Sequence, residues 1–74
     1  MKKLIGESMT IKLINKDKIK EIEFEENTTI ENLLKSEEIP IETVVIRQNG
    51  ETVTEDEIIK DNDEIEVIKV IYGG

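Results

Sequence analysis

The sequence predicts an α+β domain: a mixed sheet of four to five strands packed on one short helix. Three observations lead there. Two runs of alternating apolar and polar residues flank a polar turn near the start, "MTIKLINKDKIKEIEFEEN". At "TTIENLLKSEEIP" the apolar period changes from two to that of a helix and stops at Pro40. An Asn49-Gly50 dipeptide then reverses the chain before a last alternating run, "EIEVIKVIY". The element order is therefore β, β, α, β, β, β.

In the first hairpin Met9, Ile11 and Leu13 alternate with Thr10 and Lys12, and Ile22 and Phe24 alternate with Glu21, Glu23 and Glu25. A period of two puts each apolar set on one face. The polar "NKDK" at Asn15 to Lys18 is the turn. Thr28 and Glu31 fit a capping box, and Ile30, Leu33 and Leu34 share one helical face, so a helix is expected from about Thr29 to Glu37. Pro40 forbids a longer one, because Ile39 before it is pushed out of the α region. Val44 to Arg47 and Glu51 to Val53 read as strands joined by Asn49-Gly50 in a type I′ turn, which needs positive φ at both central residues. A short turn at "TEDEIIKDND" precedes the final strand, in which Ile65 and Val67 face the core.

For the hairpin to bury its apolar face, the helix must lie across it and the later strands must join the same sheet. The helix-containing crossover allows the first and last strands to lie parallel at the centre. Residues 1–8, "MKKLIGES", read as an extension ahead of a domain spanning 9–72, with Gly73-Gly74 as a flexible tail.

Composition excludes several classes of function. Among 74 residues there is no Cys, His or Trp, so disulfides, zinc ribbons, thiol nucleophiles and Ser–His pairs are not available within the chain. Eighteen acids against ten bases give a net charge of −8, which repels nucleic-acid phosphates and favours solubility and a basic partner surface. No apolar run approaches the roughly 20 residues that span a bilayer, and the basic start lacks the apolar stretch of a signal peptide, so a cytoplasmic location is expected. The acids Glu55, Asp56, Glu57, Asp61, Asp63 and Glu64 lack the Gly and terminal Glu of a calcium loop and read as a solvated turn, with no metal or other cofactor expected.

The chain closes on "VIYGG". Two terminal glycines order at high entropic cost and pack nothing, so they do not serve the fold. On the dipeptide alone, a fraying terminus explains them better than a function does. Tyr72 reads either as an exposed strand end or as a ring that packs against a partner as the tail enters it. If Val44 and Ile46 face the helix, alternation turns Val45 outward, and Ile68 and Val70 follow if the last strand keeps its period. Val45, Ile68, Val70 and Tyr72 are thus candidates for a small apolar docking patch leading toward the tail.

The hairpin, the "TTIENLL" helix, the "NGE" turn at Asn49 to Glu51, the "DEIEV" start of the last strand at Asp63 to Val67 and the terminal Gly73-Gly74 together resemble the β-grasp fold of ubiquitin-like proteins. The likeness runs from Met9 to Gly74 and is to the ThiS/MoaD-like sulfur carriers of thiamine and molybdopterin synthesis and to the small archaeal modifier proteins. Many thiamine-type carriers end in three or more glycines, whereas here Tyr72 precedes only two.

The resemblance implies a substrate and carrier with no catalytic residues of its own. In that family an ATP-dependent adenylating enzyme activates the terminal carboxylate, here that of Gly74. A sulfur or nitrogen nucleophile then attacks the acyl-adenylate, giving a thiocarboxylate or an isopeptide bond to a target lysine. Gly73 is the slim approach, since only Gly passes close walls without a Cβ to clash. The implied partners are the adenylating enzyme and a sulfur-accepting enzyme or target proteins, with no nucleic acid and no membrane, and the free protein is expected to be monomeric.

Overall fold

The computed structural model describes residues 9–70. Its elements are β1 (Met9–Asn15), β2 (Lys18–Phe24), α1 (Ile30–Ser36), a single 3₁₀ turn (Ile41–Thr43), β3 (Val44–Gln48), β4 (Glu51–Val53) and β5 (Glu64–Lys69). The strands form one sheet in the order β2-β1-β5-β3-β4. β1 and β5 pair in parallel at its centre, and every other neighbouring pair is antiparallel. This is the α+β, β-grasp arrangement: β5 lies between two hairpins and pairs with the first strand of each, with the helix in the crossover between them.

Alternation sorts the strand residues as expected. Ile11, Leu13, Ile46, Ile65 and Val67 are buried on the face that meets Ile30, Leu33 and Leu34 of α1, with Ile22, Phe24, Val44 and Val53 packed around them. Leu13 lies opposite Lys20, so Lys20 also points to the helix side. Its Nζ reaches Glu37 Oε1 at 2.9 Å, at the end of the helix.

The helix spans the expected stretch, from its N-cap Thr29 to its C-cap Glu37, but its N-cap is not the expected capping box. It begins at Ile30, and its cap is Thr29, whose Oγ1 accepts from the Asn32 amide at 3.3 Å. The Thr28–Glu31 capping box does not form, because Thr28 Oγ1 instead donates to the Glu25 carbonyl at 2.6 Å. The Glu31 amide is taken by the Glu55 carbonyl and the Ile30 amide by the Glu57 carbonyl, both at 2.9 Å. Two of the orphan donors of the first turn are thus satisfied by a distant segment that sequence spacing does not see. At the other end, Ile39 N–H bonds to Leu34 O and Glu38 N–H to Lys35 O, with Glu38 at φ 59°. That is a Schellman stop with a glutamate where glycine is usual, and it ends the helix before Pro40 acts.

The Asn49-Gly50 turn is of type I′, with φ of 53° and 89°. The β1–β2 turn is the two residues Lys16-Asp17, Lys16 taking φ 63°. The last strand is shorter than "EIEVIKVIY": β5 ends at Lys69, and residues 71–72 of that run lie outside the described residues.

In the stretch 54–63 and at Glu64 the acids Glu55, Asp56, Glu57, Asp61 and Glu64 are exposed, as expected of a solvated turn, but Asp63 and Ile59 are buried. Ile59 is buried at 2% exposure and belongs to the core. Asp61 Oδ1 accepts from the Thr10 amide at 2.9 Å, and Asp63 is itself buried. The Lys12 amide bonds to Asp63 O and the Asn62 amide to Thr10 O, so the stretch is tied along β1 before β5 begins.

Candidate functional site

Because β1 and β5 are parallel, β5 finishes at the end of the sheet that carries the β1–β2 turn. There the Val70 amide donates to the Thr43 carbonyl at 2.9 Å, tying the chain to the 3₁₀ turn as it leaves the sheet. Val70 is half-buried and is the last described residue; Tyr72, Gly73 and Gly74 lie outside the described residues.

Val45 and Ile68 stand directly opposite one another in the β3–β5 register, at 37% and 39% exposure, on the face away from the helix. The structure adds two residues to this face. Ile14 and Ile19 are paired across β1 and β2 with the outward parity, and Ile19 is 66% exposed. Ile19, Ile14, Ile68 and Val45 make an apolar stripe over four adjacent strands, interrupted by the half-buried Glu66 opposite Ile14. The signal for the first pair was present in the sequence: Ile14 lies out of phase with Ile11 and Leu13, and Ile19 with Ile22 and Phe24. The parallel β1–β5 pairing expected from the crossover sets Ile14 next to the strand of Ile68; what the sequence lacked was the register of that pairing.

The β5 start is fixed by a polar knot. Asp63 Oδ2 accepts from Gln48 Nε2 at 2.8 Å and from the Lys60 amide at 2.9 Å, and its Oδ1 accepts from Asn49 Nδ2 at 2.9 Å. Asn49 in turn accepts the Glu64 amide on its Oδ1 at 2.9 Å, while its own amide bonds to Glu64 O. Burial by itself pushes the Asp63 carboxyl up, but the hydrogen bonds from Asn49, the Lys60 amide and Gln48, with the Lys60 charge, outweigh it and hold the pKa below the ordinary value. Asp56 is also held low, chiefly by its hydrogen bond from Thr54. These acids organise backbone, and among the described residues no group of three or more acids is placed to hold a metal ion. No described helix is long and apolar enough to cross a membrane.

Two solved structures share this arrangement. One is a Caldiarchaeum subterraneum ubiquitin, 20% identical, covering 92% of this chain and all of that one, with a TM-score of 0.66. The other is a ubiquitin-like protein from Trypanosoma brucei, 14% identical, covering 88% of this chain and 98% of that one, with a TM-score of 0.64. At these identities the likeness establishes the fold, which is ubiquitin-like. The family model of the ThiS family matches residues 4–74, which takes in the terminal Gly-Gly as well as the whole sheet. The chain therefore belongs to the ThiS family.

Proposed function

We propose that this protein is a sulfur carrier whose Gly74 carboxylate is the reacting group. The carboxylate oxygen attacks the α-phosphorus of ATP on an adenylating enzyme, and pyrophosphate leaves. A sulfur nucleophile at the sulfide level, supplied by the activating system, then attacks the acyl carbon and AMP leaves, so that the terminus becomes a thiocarboxylate. The thiocarboxylate sulfur attacks an electrophilic carbon in the accepting enzyme's substrate, and water then cleaves the acyl C–S bond, leaving the sulfur on the acceptor and regenerating the carboxylate. Carboxylates are poor acyl donors, which is why the cycle requires ATP. The domain itself is a handle in the cytoplasm, monomeric when free, and not an enzyme.

The observation that carries this reading is where the chain leaves the fold. The last described anchor of the central strand is the bond from Val70 to Thr43, and four residues follow, "IYGG". Fully extended, four residues reach at most about 14 Å. That is enough to enter an active site while the sheet stays outside, and Gly73-Gly74 bring no Cβ to the narrowest part. Family membership over residues 4–74 supports the same assignment. The enzyme grips the outer face at Val45 and Ile68, with Val70 and Tyr72 packing where the tail enters.

The test is ATP–pyrophosphate exchange with the cognate adenylating enzyme, together with the intact mass of protein isolated from its native cell. Deleting Gly74 should abolish exchange and leave the thermal midpoint unchanged, and the native mass should show an oxygen-to-sulfur exchange. Continued activation of the truncated chain refutes the reading. A ladder of larger conjugates would assign Gly74 to isopeptide linkage with target lysines, making the protein a modifier.

A further inference from the structure

Beside the last anchored residue of β5, a groove of about 420 Å³ opens between the β1–β2 turn, the segment after α1 and the ends of β3 and β5. Val44 and Val67 give it apolar walls, and Thr43, whose carbonyl holds Val70, also lines it. Its charged residues are Lys16, Lys18 and Lys69 against Asp17 and Glu38.

Two independent features distinguish this groove. The first is charge. The chain carries −8, yet here three lysines face two acids, so the groove is locally positive in a negative molecule. Lys20 and Lys35 are engaged by Glu37 and Glu31, whereas Lys16, Lys18 and Lys69, like Lys12 and Lys60, form no ion pair with any described residue. The second is backbone. Lys16 at φ 63° and Glu38 at φ 59° are both left-handed, and both line this one groove. A residue with a Cβ pays roughly 1–2 kcal/mol to sit in that region, and glycine would relieve it. Glycine would also remove the charge from the rim. Glu38 takes its φ as the Schellman stop, but the strain kept at Lys16, where glycine would relieve it, points to a use for that side chain.

We propose that the groove receives an extended acidic segment of the enzyme that takes the tail, its carboxylates on Lys16, Lys18 and Lys69 and an apolar side chain against Val44 and Val67. The inference rests on the adenylation reading above. The apolar walls favour a peptide side chain over a free inorganic anion, and lysines on flexible stems suit carboxylates that arrive in a row. Basic enzyme surface is drawn to the rest of this acidic molecule, so one acidic segment at the tail base would set the orientation in which the tail meets its channel. Complementary charges of opposite local sign fix register more than they add affinity.

The experiment compares two double variants with the same change in net charge in ATP–pyrophosphate exchange. Lys16→Gly with Lys69→Thr removes two of the groove's three lysines, and Lys16→Gly also relieves strain, so folding is retained. Lys35→Gln with Lys60→Gln is the control. The groove variant should raise the KM for this protein about ten-fold at unchanged kcat, the signature of lost binding common to ground and transition states. The control should leave KM unchanged, and thermal melts verify that both fold. In the complex, Lys16, Lys18 and Lys69 should be protected from amine acylation while Lys35 and Lys60 still react. Equal KM changes in both variants, no change in the groove variant, or groove lysines that acylate freely in the complex would each overturn the inference. If the wild-type protein gives no exchange at all, the adenylation reading falls and takes this inference with it. That result is distinct from a wild-type protein that exchanges and a groove variant that matches it.

Discussion

Replacing Asp63 by Asn tests the knot that fixes where β5 begins. The side chain is 8% exposed and its two oxygens accept from three donors: Gln48 Nε2, the Lys60 amide and Asn49 Nδ2. An amide in its place must point an NH₂ at one donor set or the other. The less costly choice faces it toward Asn49, and Asn49 does not turn to accept because its Oδ1 already holds the Glu64 amide. One charge-assisted hydrogen bond is lost, two become neutral, and a donor is left buried against a donor. Hydrogen bonds to charged groups are worth about 1.5–3 kcal/mol and neutral ones about 0.5–1.5, so the loss should be about 3 kcal/mol. At about 4–8 °C per kcal/mol for a domain of this size, the midpoint should fall by roughly 12–24 °C.

The same substitution should change the acid limb of stability. The folded pKa of Asp63 lies below its unfolded value, so the native state is the weaker proton binder. The stabilisation is complete above the unfolded value near 3.9 and is lost as pH falls through the folded one. Urea titrations followed by circular dichroism from neutral pH down through the carboxylate range measure both effects. Asp63→Asn should be less stable at neutral pH and converge toward the wild-type protein at the acid end. A variant within about 0.5 kcal/mol of wild type at neutral pH, which is the scatter of unimportant surface substitutions, would refute the argument. An unchanged acid limb would refute its electrostatic half.

Two further substitutions probe the turns. Gly50→Val puts a β-branched residue at φ 89°; since no atom lies within 4 Å of the added Cβ, the penalty is backbone strain alone, about 1–2 kcal/mol, readable as a lower thermal midpoint. An unchanged midpoint would mean that the positive φ is not enforced. Glu38→Gly should do the reverse: release from the left-handed region, less the extra chain entropy of glycine, leaves a gain of about 0.5–1 kcal/mol by urea unfolding. A loss of stability there would show that the glutamate side chain itself supports the helix stop.

What the sequence by itself determined were the local features, because their causes are local. Side-chain alternation in "MTIKL" and "EIEV" set which residues face the helix, and the left-handed preference of Asn-Gly set the β3–β4 turn. The same parity sent Val45 and Ile68 outward. Tertiary structure decided what depends on partners distant in the chain. Thr29 caps the helix, and not Thr28, because the Glu25 carbonyl captures the Thr28 hydroxyl while carbonyls from 55 and 57 serve the first amides. Ile59 is core and Asp63 a buried acceptor within an irregular acidic stretch that has no period to read. Glu38 stops the helix in a conformation its side chain disfavours, which only the packed chain can impose. The stripe from Ile19 to Val45 and the lysine-rimmed groove exist only because β1 lies parallel to β5. The helix-containing crossover made that pairing expected, but it joins residues some fifty positions apart, and only packing set its register.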